Sequence, residues 1–576
     1  MHGRSFVAVI IAGGLALVFA VSSAVGAESV AAAEQPAASA SPPAALPSAV
    51  IPSPPAATNP ATPAGAANPS PPSAASPAAP GAADPSAQNT GATPAPVDPV
   101  VASIRLKLSD AAYRQAAPDD VAALQSFYAT REGPAVWMTP MGFSAKAQAA
   151  IDEMGKADDW GLAAAAFELP PAGDLPATPE AKAFAEIKLD LAILKYARFA
   201  RGGRADPTQL SPLLDQKPTL KDPKIVMAEI AASAAPDVYF RSLHPKHEQF
   251  ERLRQALLKA RGDGEDGAKK LRNERDIQRL LINMERWRWM PEDLGSVYVQ
   301  DNVPEFMLYV VKNGKTIHSD KIVVGQLAYA TPIFSADMQT IVFNPEWTVP
   351  PTIVRENLLP NLRSGGWFGG GGSILSEHGL QVRYNGRIVD PGSISWSSVN
   401  MANIAFTQPP GPTNVLGKLK FLYPNKHTVY MHDTIKPDLF KPAMRANGHN
   451  CIRMERPTKL AEVLLAEDKG WEAKQVDDLV SKGNNSPVNL DHPIPVHTTY
   501  FTAVVGDDGK VSSFGDIYGL DSKVAAAVLG KSEAFAATSD DATADSPQAE
   551  TETAPAPKRK APKDEVAGSM QGMFGD

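Results

Sequence analysis

Hydrophobic positions divide the folded part of the chain into a helical half and a strand half. Between about Val101 and Met290, apolar residues recur at spacings of three and four, which places them on one face of a helix. Start and stop signals bound three such stretches: residues 121–128, 184–194 and 250–257. The first half is therefore predicted to be a helical scaffold.

From about Val297 the apolar pattern changes to the alternation of strands. The dipeptides Asn313-Gly314 and Asn385-Gly386 lie next to apolar runs and predict β-hairpins. Strands are predicted over 306–311, 316–324, 340–343, 380–384, 418–422, 428–431 and 498–504, and short helices around 460–465 and 471–480. Trp287 and Trp289 are predicted to pack where the two halves meet. The predicted fold class is α+β, a helical scaffold domain followed by a mainly β domain.

The N-terminus has the layout of a secretory signal peptide, residues 1–27. Arg4 precedes an apolar run from Phe6 to Val21, and small residues follow up to Ala27. The run is shorter than the roughly 20 residues of a spanning helix. We expect export to the periplasm, and an uncleaved membrane anchor is the alternative.

Composition sets the remaining boundaries. Residues 28–99 are mostly Ala, Pro, Ser, Gly and Thr, which cannot bury enough apolar surface to offset chain entropy, so a disordered tether is expected. A disordered tail is expected over 531–576 for the same reason. The folded domains are then 100–296 and 297–530. A formal net charge of −8 gives no support to nucleic-acid binding.

A glycine-rich stretch at 364–373 lacks the Gly-Lys-Ser/Thr ending of a phosphate loop. We interpret it as part of a flap insertion at about 355–400, with Trp367 and Phe368 at the tip. A plain flexible loop is the alternative.

Cys451 is the only cysteine in the chain. In an exported protein a structural cysteine normally has a disulfide partner, and none exists here. The alternatives are a reactive thiol and a small buried apolar residue. A thiol becomes a nucleophile as thiolate, usually beside a histidine, and His432 and His449 are both candidate bases.

Local spacing supports the reactive thiol. A strand end can present His432 rigidly, and the following loop can bring Cys451 back beside it. Asp433 could hold the other imidazole nitrogen through its carbonyl or its side chain. Backbone N–H groups around Asn450 and Cys451 could form an oxyanion hole, since Asn tolerates positive φ. Arg453 suits a substrate carboxylate, and an ordinary ion pair is the alternative.

Other chemistries fit poorly. A zinc site built from His432, His449 and Cys451 would have no recognisable ligand spacing, so no metal or cofactor is expected. The local signatures of papain-like and caspase-like proteases are absent around Cys451.

An ordered set of motifs resembles the L,D-transpeptidase family, in its large periplasmic type with a helical scaffold and a YkuD-type catalytic domain. The motifs are Pro410-Gly411-Pro412-Thr413-Asn414-Val415-Leu416-Gly417, Lys420-Phe421, Pro424-Asn425, Tyr430-Met431-His432-Asp433-Thr434, Phe440, Arg445 and His449-Asn450-Cys451-Ile452-Arg453. Similarity in the rest of the body covers Phe127-Tyr128, Trp137, Leu189-Asp190-Leu191, 203–207, Trp287, Trp289, Asn344-Pro345, Trp347 and Pro350.

The resemblance implies a role for each site residue. Cys451 would be the nucleophile and His432 its base, with the carbonyl of Asp433 orienting the imidazole. His449 and the backbone at Asn450 and Cys451 would line the oxyanion and substrate site. Arg453 would lie close by.

The resemblance also implies the reaction. The family attacks the amide before the terminal D-Ala of a peptidoglycan tetrapeptide stem, releases D-Ala and leaves a thioester. An amine of a second stem then forms a 3→3 cross-link, in cell-wall biogenesis that maintains cell shape, and carbapenems acylate the same cysteine. Alternatives are attachment of an outer-membrane protein to peptidoglycan and hydrolysis of stems. A non-catalytic wall-binding scaffold is a further alternative, against which the intact Cys451 and His432 argue.

Two departures from the family pattern stand out. The family commonly reads Ser-His-Gly-Cys where this chain has Gly448-His449-Asn450-Cys451, so acceptor or β-lactam preference could shift. Large members often insert a peptidoglycan-binding helical module in the scaffold, and residues 217–274 show no clear copy of it.

Overall fold

A computed structural model of the chain describes residues 97–110, 116–170, 177–262, 267–364 and 371–530. The predicted signal peptide, nearly all of the predicted tether, the predicted C-terminal tail, and the pair Trp367 and Phe368 lie outside these ranges. None of the helices in the described ranges is long and apolar enough to cross a membrane.

The N-terminal half is helical, as predicted. Its elements are α1 (Pro99–Lys107), α2 (Pro118–Ala129), a small hairpin of β1 (Met138–Thr139) and β2 (Gly142–Phe143), α3 (Ala145–Gly155), α4 (Pro179–Gly202), α5 (Pro207–Leu210), α6 (Pro223–Ala232), α7 (Pro236–Ser242), α8 (Glu248–Gly262) and α9 (Gly267–Arg288).

Local chemistry explains where the predicted helices begin and end. Helix α4 begins with proline at its first position, the Thr178 side chain accepts a hydrogen bond from the Ala181 N–H, and Gly203 at φ 87° ends it. The stretches 121–128, 184–194 and 250–257 lie in α2, α4 and α8, so these predictions are confirmed. Phe184 is nevertheless 54% exposed, so this residue of the predicted face lies outside the core, whereas Ile187 and Leu194 of the same face are buried.

The C-terminal half is mainly β. Its strands are β3 (Val297–Asn302), β4 (Met307–Lys312), β5 (Lys315–Gly325), β6 (Phe334–Phe343), β7 (Trp347–Thr348), β8 (Gln381–Tyr384), β9 (Arg387–Val389), β10 (Ile404–Gln408), β11 (Leu419–Leu422), β12 (Met431–His432), β13 (Ala446–Gly448), β14 (Ile452–Met454), β15 (Ser486–Thr499), β16 (Ala503–Val505) and β17 (Val511–Ser513). Its helices are α10 (Pro351–Ile353), which continues through a π-helical turn (Val354–Leu358) into α11 (Leu359–Ser364), then α12 (Gly371–Glu377), α13 (Pro457–Lys469), α14 (Ala473–Lys482) and α15 (Leu520–Leu529).

The large sheet has the strand order β13-β5-β14-β12-β11-β6-β15-β3-β4, and β4 pairs again with β5. The strands from β5 to β4 therefore close into a ring around a hydrophobic core. Both predicted hairpins are confirmed, and Asn313 and Asn385 adopt the positive φ that such turns require.

Two strand predictions are corrected. The strand predicted over 498–504 is wrong, because β15 begins at Ser486 and ends at Thr499, and β16 begins at Ala503. The first part of β15 was not predicted because it contains Pro487 and Pro495, and proline within a run argues against a central strand. The strand predicted over 428–431 is also displaced, because β12 comprises Met431 and His432 only.

The predicted flap region contains more than a loop. Strands β7, β10, β8 and β9 form a second sheet, and with α10–α12 they enclose a hydrophobic cluster of their own. The described part of the insertion is therefore a small folded subdomain that begins before the predicted position 355.

The end of α9 joins the scaffold to the β domain. The Trp287 ring stacks on Phe501 with centroids 4.5 Å apart, and Trp289 belongs to the core of the large sheet. Arg286 forms a buried ion pair of 2.6 Å with Asp521. The prediction that the two tryptophans pack at this junction is confirmed.

Candidate active site

Three neighbouring strands of the large sheet bring the candidate residues together. Lys420 on β11 lies opposite His432 on β12, which lies opposite Arg453 on β14. Tyr430 and Cys451 directly precede β12 and β14, and the Ile452 N–H donates to the Tyr430 carbonyl at 3.2 Å, so these two residues lie side by side at the starts of the two strands. All five residues line one cavity of about 510 Å³.

His432 is 6% exposed, and its Nδ1 lies 2.5 Å from the carbonyl oxygen of Asp433. A carbonyl only accepts hydrogen bonds, so Nδ1 carries the proton in this contact. Nε2 is then left with the lone pair that can take a proton from a thiol. This geometry suits His432 to the role of general base.

The side chain of Asp433 is used elsewhere. Its carboxylate accepts hydrogen bonds from the backbone N–H groups of Lys418 and Thr434, each at 2.7 Å. Of the two ways in which Asp433 could hold the imidazole, the structure therefore contains the backbone carbonyl. Gly417 lies against this carboxylate at φ 60°, and a Cβ at residue 417 would come within 2.6 Å of three Asp433 side-chain atoms.

Tyr430 contacts the thiol, which the sequence-based prediction missed. Its hydroxyl accepts a hydrogen bond from Trp347 and donates one to Cys451. The Lys420 ammonium lies 4.0 Å from the centre of the Tyr430 ring. The signal in the sequence is the position of Tyr430 two residues before His432, directly before β12.

Electrostatics in the cavity favour neutral partners. Burial raises the pKa of the Cys451 thiol, against the opposing effects of Tyr430, Lys420 and Arg453. Burial, together with the Arg453 charge, lowers the pKa of His432 to about 3. The resting pair is therefore a thiol and a neutral imidazole rather than a thiolate and an imidazolium.

The turn before the cysteine is tightly held. Asn450 has φ 47°, in agreement with the expectation that Asn is suited to this turn. Its N–H donates to the carbonyl of Tyr329 at 3.0 Å, and the Cys451 N–H lies 2.6 Å from the carbonyl of His449. Both amides proposed for an oxyanion hole are thus engaged within the protein, and their catalytic role stays a prediction.

His449 lines the same cavity but is held differently from His432. Its ring stacks on Tyr329 with centroids 3.8 Å apart, and burial lowers its pKa. The Tyr329 hydroxyl also donates to Glu356, which follows α10 in the small subdomain, at 3.3 Å. His449 therefore connects the cysteine turn to the subdomain that forms the opposite wall.

Arg453 provides a cation on the cavity wall. It is 6% exposed, and within the described ranges its Nη1 has no hydrogen-bond partner and it forms no ion pair with a carboxylate. The alternative of an ordinary structural ion pair is thus not seen there. A donor in this state suits an anionic group of a ligand.

The departure at Gly448 has a steric explanation. A Cβ at this position would lie 2.8 Å from the carbonyl oxygen of Val324, closer than real Cβ atoms come. The serine that is common in the family would need a shift of β5 or β13.

Within the described ranges, no group of three or more His, Cys, Asp or Glu residues is arranged to hold a metal ion.

Comparison with known proteins agrees with this geometry. Residues 296–486 match the L,D-transpeptidase catalytic domain model named YkuD, which covers all the candidate site residues. The chain contains an L,D-transpeptidase catalytic domain. Residues 122–257 match the Scaffold domain model.

A curated relative from Haemophilus influenzae bears the name "Putative L,D-transpeptidase" and is 30% identical over 250 residues. The match covers 43% of this chain and 49% of the relative, so the chain spans about half the length of that protein. The resemblance to the L,D-transpeptidase family is confirmed, together with the helical scaffold that precedes the catalytic domain.

Proposed function

We propose that this protein is a cysteine L,D-transpeptidase that acts on peptidoglycan tetrapeptide stems. The observation that carries the proposal is the shared cavity of Cys451 and His432 in a domain of this family, with Nε2 of His432 available as a base. The buried donor of Arg453, which has no hydrogen-bond partner within the described residues, suits a stem carboxylate.

The reaction we propose has two steps through one thioester. Sγ of Cys451 attacks the carbonyl of the amide before the terminal D-Ala while its proton passes to Nε2 of His432. His432 returns this proton to the departing D-Ala amine. A side-chain amine of a second stem then attacks the thioester, its proton passes to His432, and the restored thiol leaves a 3→3 cross-link.

Tyr430 supports the first step in this proposal. As the thiol loses its proton, a hydroxyl donor already directed at sulfur stabilises the developing thiolate. The neutral resting pair means that charge forms only when substrate is attacked. Lys420 and Arg453 then face that charge across the cavity.

Incubation with purified tetrapeptide muropeptides, followed by mass spectrometry, tests the proposal. We expect dimers of a tetrapeptide and a tripeptide stem, together with free D-Ala. Free tripeptide alone would contradict cross-linking and indicate hydrolysis. The assignment of Cys451 as the nucleophile would be contradicted if the Cys451→Ala variant still formed dimers. It would also be contradicted if meropenem added no mass to the wild-type protein.

His432→Ala separates the two candidate bases. Loss of a general base slows acylation by about 10²–10⁴-fold. A loss below tenfold, measured as meropenem acylation by intact mass, would point to His449. His449→Ala is the matched variant, because both histidines line the cavity.

The same acyl-enzyme could serve a protein acceptor. Attachment of an outer-membrane protein to peptidoglycan would appear as protein-linked muropeptide in isolated sacculi, and its loss in a Cys451→Ala strain would favour this alternative.

We also propose a periplasmic location after removal of residues 1–27. A mature N-terminus at Glu28 in the periplasmic fraction is expected, and an intact chain in the membrane fraction would contradict cleavage.

A further inference from the structure

Thr428 has an unfavourable backbone conformation on the wall of the active-site cavity. Its φ is 59°, in the left-handed region. Six non-glycine residues of the described ranges have positive φ, and four of them are asparagines; the six are Phe306, Asn313, Asn344, Asn385, Thr428 and Asn450. A β-branched residue is an outlier in this region because its side chain crowds the backbone. Gly or Asn at position 428 would adopt this backbone conformation with less strain than threonine.

The turn that holds Thr428 is fixed from within by Asn425. The Asn425 side-chain oxygen accepts from the N–H groups of His427 at 3.0 Å and Val429 at 3.1 Å. Its amide donates to the carbonyls of Tyr423 and Val429, each at 2.7 Å. Four hydrogen bonds therefore hold the turn on both sides of Thr428.

The turn is fixed from outside by Asp215, which follows α5 in the scaffold half. One carboxylate oxygen accepts from Lys426 at 2.7 Å, and the other lies 2.8 Å from Nε2 of His427. The His427 ring packs against Phe334 of β6 with centroids 5.1 Å apart. A residue of the scaffold half thus holds one wall of the catalytic cavity.

Strain that persists in such a well-determined turn indicates a function for the strained side chain. Thr428 is exposed, and within the described part of the chain its hydroxyl forms no hydrogen bond. It lines the same cavity as Cys451 and lies two residues before Tyr430. A free hydroxyl at this place can donate to a peptide carbonyl or accept from a peptide N–H.

We propose that Thr428 is a specificity-determining residue that hydrogen-bonds the main chain of the donor stem, on the N-terminal side of the amide that Cys451 attacks. Asp215 acts as a positioning residue through His427 and Lys426. This inference rests on the proposed function, since it takes the peptide stem as the ligand. The donor is the stem that must extend from Cys451 along this continuous cavity.

Binding of tetrapeptide stem to the Cys451→Ala chain tests the proposal without turnover. Adding Thr428→Gly removes the hydroxyl and relieves the backbone, and we expect the Kd to rise about tenfold, the effect of one hydrogen bond. The melting temperature should rise by about 1–4 °C at the same time. Thr428→Ser keeps the hydroxyl and should stay within about twofold of the parent Kd.

Two further variants separate recognition from general stability. Asn313→Gly changes a positive-φ residue in the hairpin of β4 and β5, outside the cavity lining, and should leave the Kd unchanged. Asp215→Asn should raise the KM for donor in the Cys451 enzyme, with kcat changed less than about threefold. A structural role alone would lower the melting temperature and leave KM unchanged.

The proposal is overturned if Thr428→Gly raises the melting temperature and leaves the Kd for tetrapeptide unchanged. It is also overturned if only the KM of the acceptor stem changes, because the donor assignment is then wrong. The proposed function fails separately if the wild-type enzyme releases no D-Ala from a tetrapeptide that the Cys451→Ala chain binds.

Discussion

At the scale of single residues, the surroundings of Cys451 oppose a preformed ion pair. Its thiol has a raised pKa, and the imidazole of His432 has a pKa lowered to about 3. Many cysteine enzymes instead hold a thiolate beside an imidazolium over the neutral range. In the reaction that we propose, the proton therefore moves to His432 only as the substrate is attacked.

This arrangement predicts the pH dependence of alkylation. Because Cys451 is the only cysteine, iodoacetamide labelling measured by intact mass reports its thiolate directly. A raised thiol pKa keeps the neutral form dominant until the pH exceeds the ordinary value of about 8.5. We expect the rate to climb through alkaline pH without a plateau between about pH 5 and 8. A plateau there would mean that an ion pair exists at rest.

Tyr430→Phe is predicted to slow acylation by about 10- to 100-fold, because a hydrogen bond to a charged group contributes about 1.5–3 kcal/mol. Meropenem acylation rates and melting temperatures provide the measurement. Tyr309→Phe is the control, since the Tyr309 hydroxyl donates to Glu305 away from the cavity lining. Equal acylation rates for both variants would refute a role for the Tyr430 hydroxyl.

Site residues of a rare type, such as a lone cysteine, could be predicted from the sequence. Site residues whose contacts depend on how the strands pair could not. Cys451 and His432 could be selected as a lone thiol and a histidine at a strand end. The contact of Tyr430 with sulfur depends on the parallel pairing of β12 with β14, which local sequence does not specify. The engagement of the Asn450 amide by Tyr329 likewise needs the β5–β6 loop in place.

At the scale of elements, the loop from Gly325 to Thr331 supports the cysteine turn. The Tyr329 carbonyl accepts from the Asn450 N–H. The Thr331 hydroxyl donates to the carbonyl of Asn450 at 2.8 Å and accepts from the Gly325 N–H at 2.9 Å. The Tyr518 hydroxyl donates to the carbonyl of Gly325 at 2.6 Å. The position of Asn450 is thus set by a loop more than a hundred residues earlier.

Gly325→Ala is predicted to displace this loop. The new Cβ would lie 1.9 Å from the Tyr329 carbonyl oxygen and 3.0 Å from the Asn450 nitrogen, so backbone must move. We expect acylation to fall by at least about tenfold, since small displacements of catalytic groups are costly. Gly155→Ala is the control, because a Cβ there meets nothing within 4 Å. Unchanged acylation in Gly325→Ala would show that the loop does not set the site.

Elements with strong local signals were predictable, and those defined by distant partners were not. The Asn-Gly hairpins and the helices with Pro starts were found because the turn and cap chemistry is local. Strand β15 was missed because its two prolines and its polar residues break the alternation, although it lies between β6 and β3. Its pairing, not its composition, makes it a strand.

At the scale of the whole molecule, the core of the sheet contains an unpartnered acid. Asp301 on β3 is 0% exposed, and neither of its carboxylate oxygens has a hydrogen-bond partner among the residues that the structure describes. The hydroxyls of Tyr423 and Thr498 are also buried with no partner in the described part of the chain, and Thr498 pairs with Asp301 across the strands. Burial raises the pKa of Asp301 to about 8, so the folded protein holds it protonated at neutral pH.

Asp301→Asn is therefore predicted to stabilise the protein in a pH-dependent way. The pKa of Asp301 in the folded protein exceeds the unfolded value of about 3.9. Its contribution to the free energy of unfolding is therefore full below pH 3.9 and is lost as the pH rises towards 8. Over this pH range, the free energy of unfolding of the variant should increase relative to that of the wild type by up to about 1.4 kcal/mol per pH unit. Melting temperatures of both proteins at pH 5 and pH 7 measure it. A constant difference between them would contradict a buried neutral acid.

The position of β15 between β6 and β3 has a consequence for the time at which activity can arise. During synthesis, β3 to β14 leave the ribosome first, but the ring of strands stays open between β6 and β3 until residues 486–499 fill the gap. The segment that follows, through Thr502 and Asp521, then fastens the ring to α9. A nascent or truncated chain that ends at residue 486, where the family match ends, thus carries Cys451 but lacks most of β15, so the hydrophobic core inside the ring is completed only when the last part of the domain has been made.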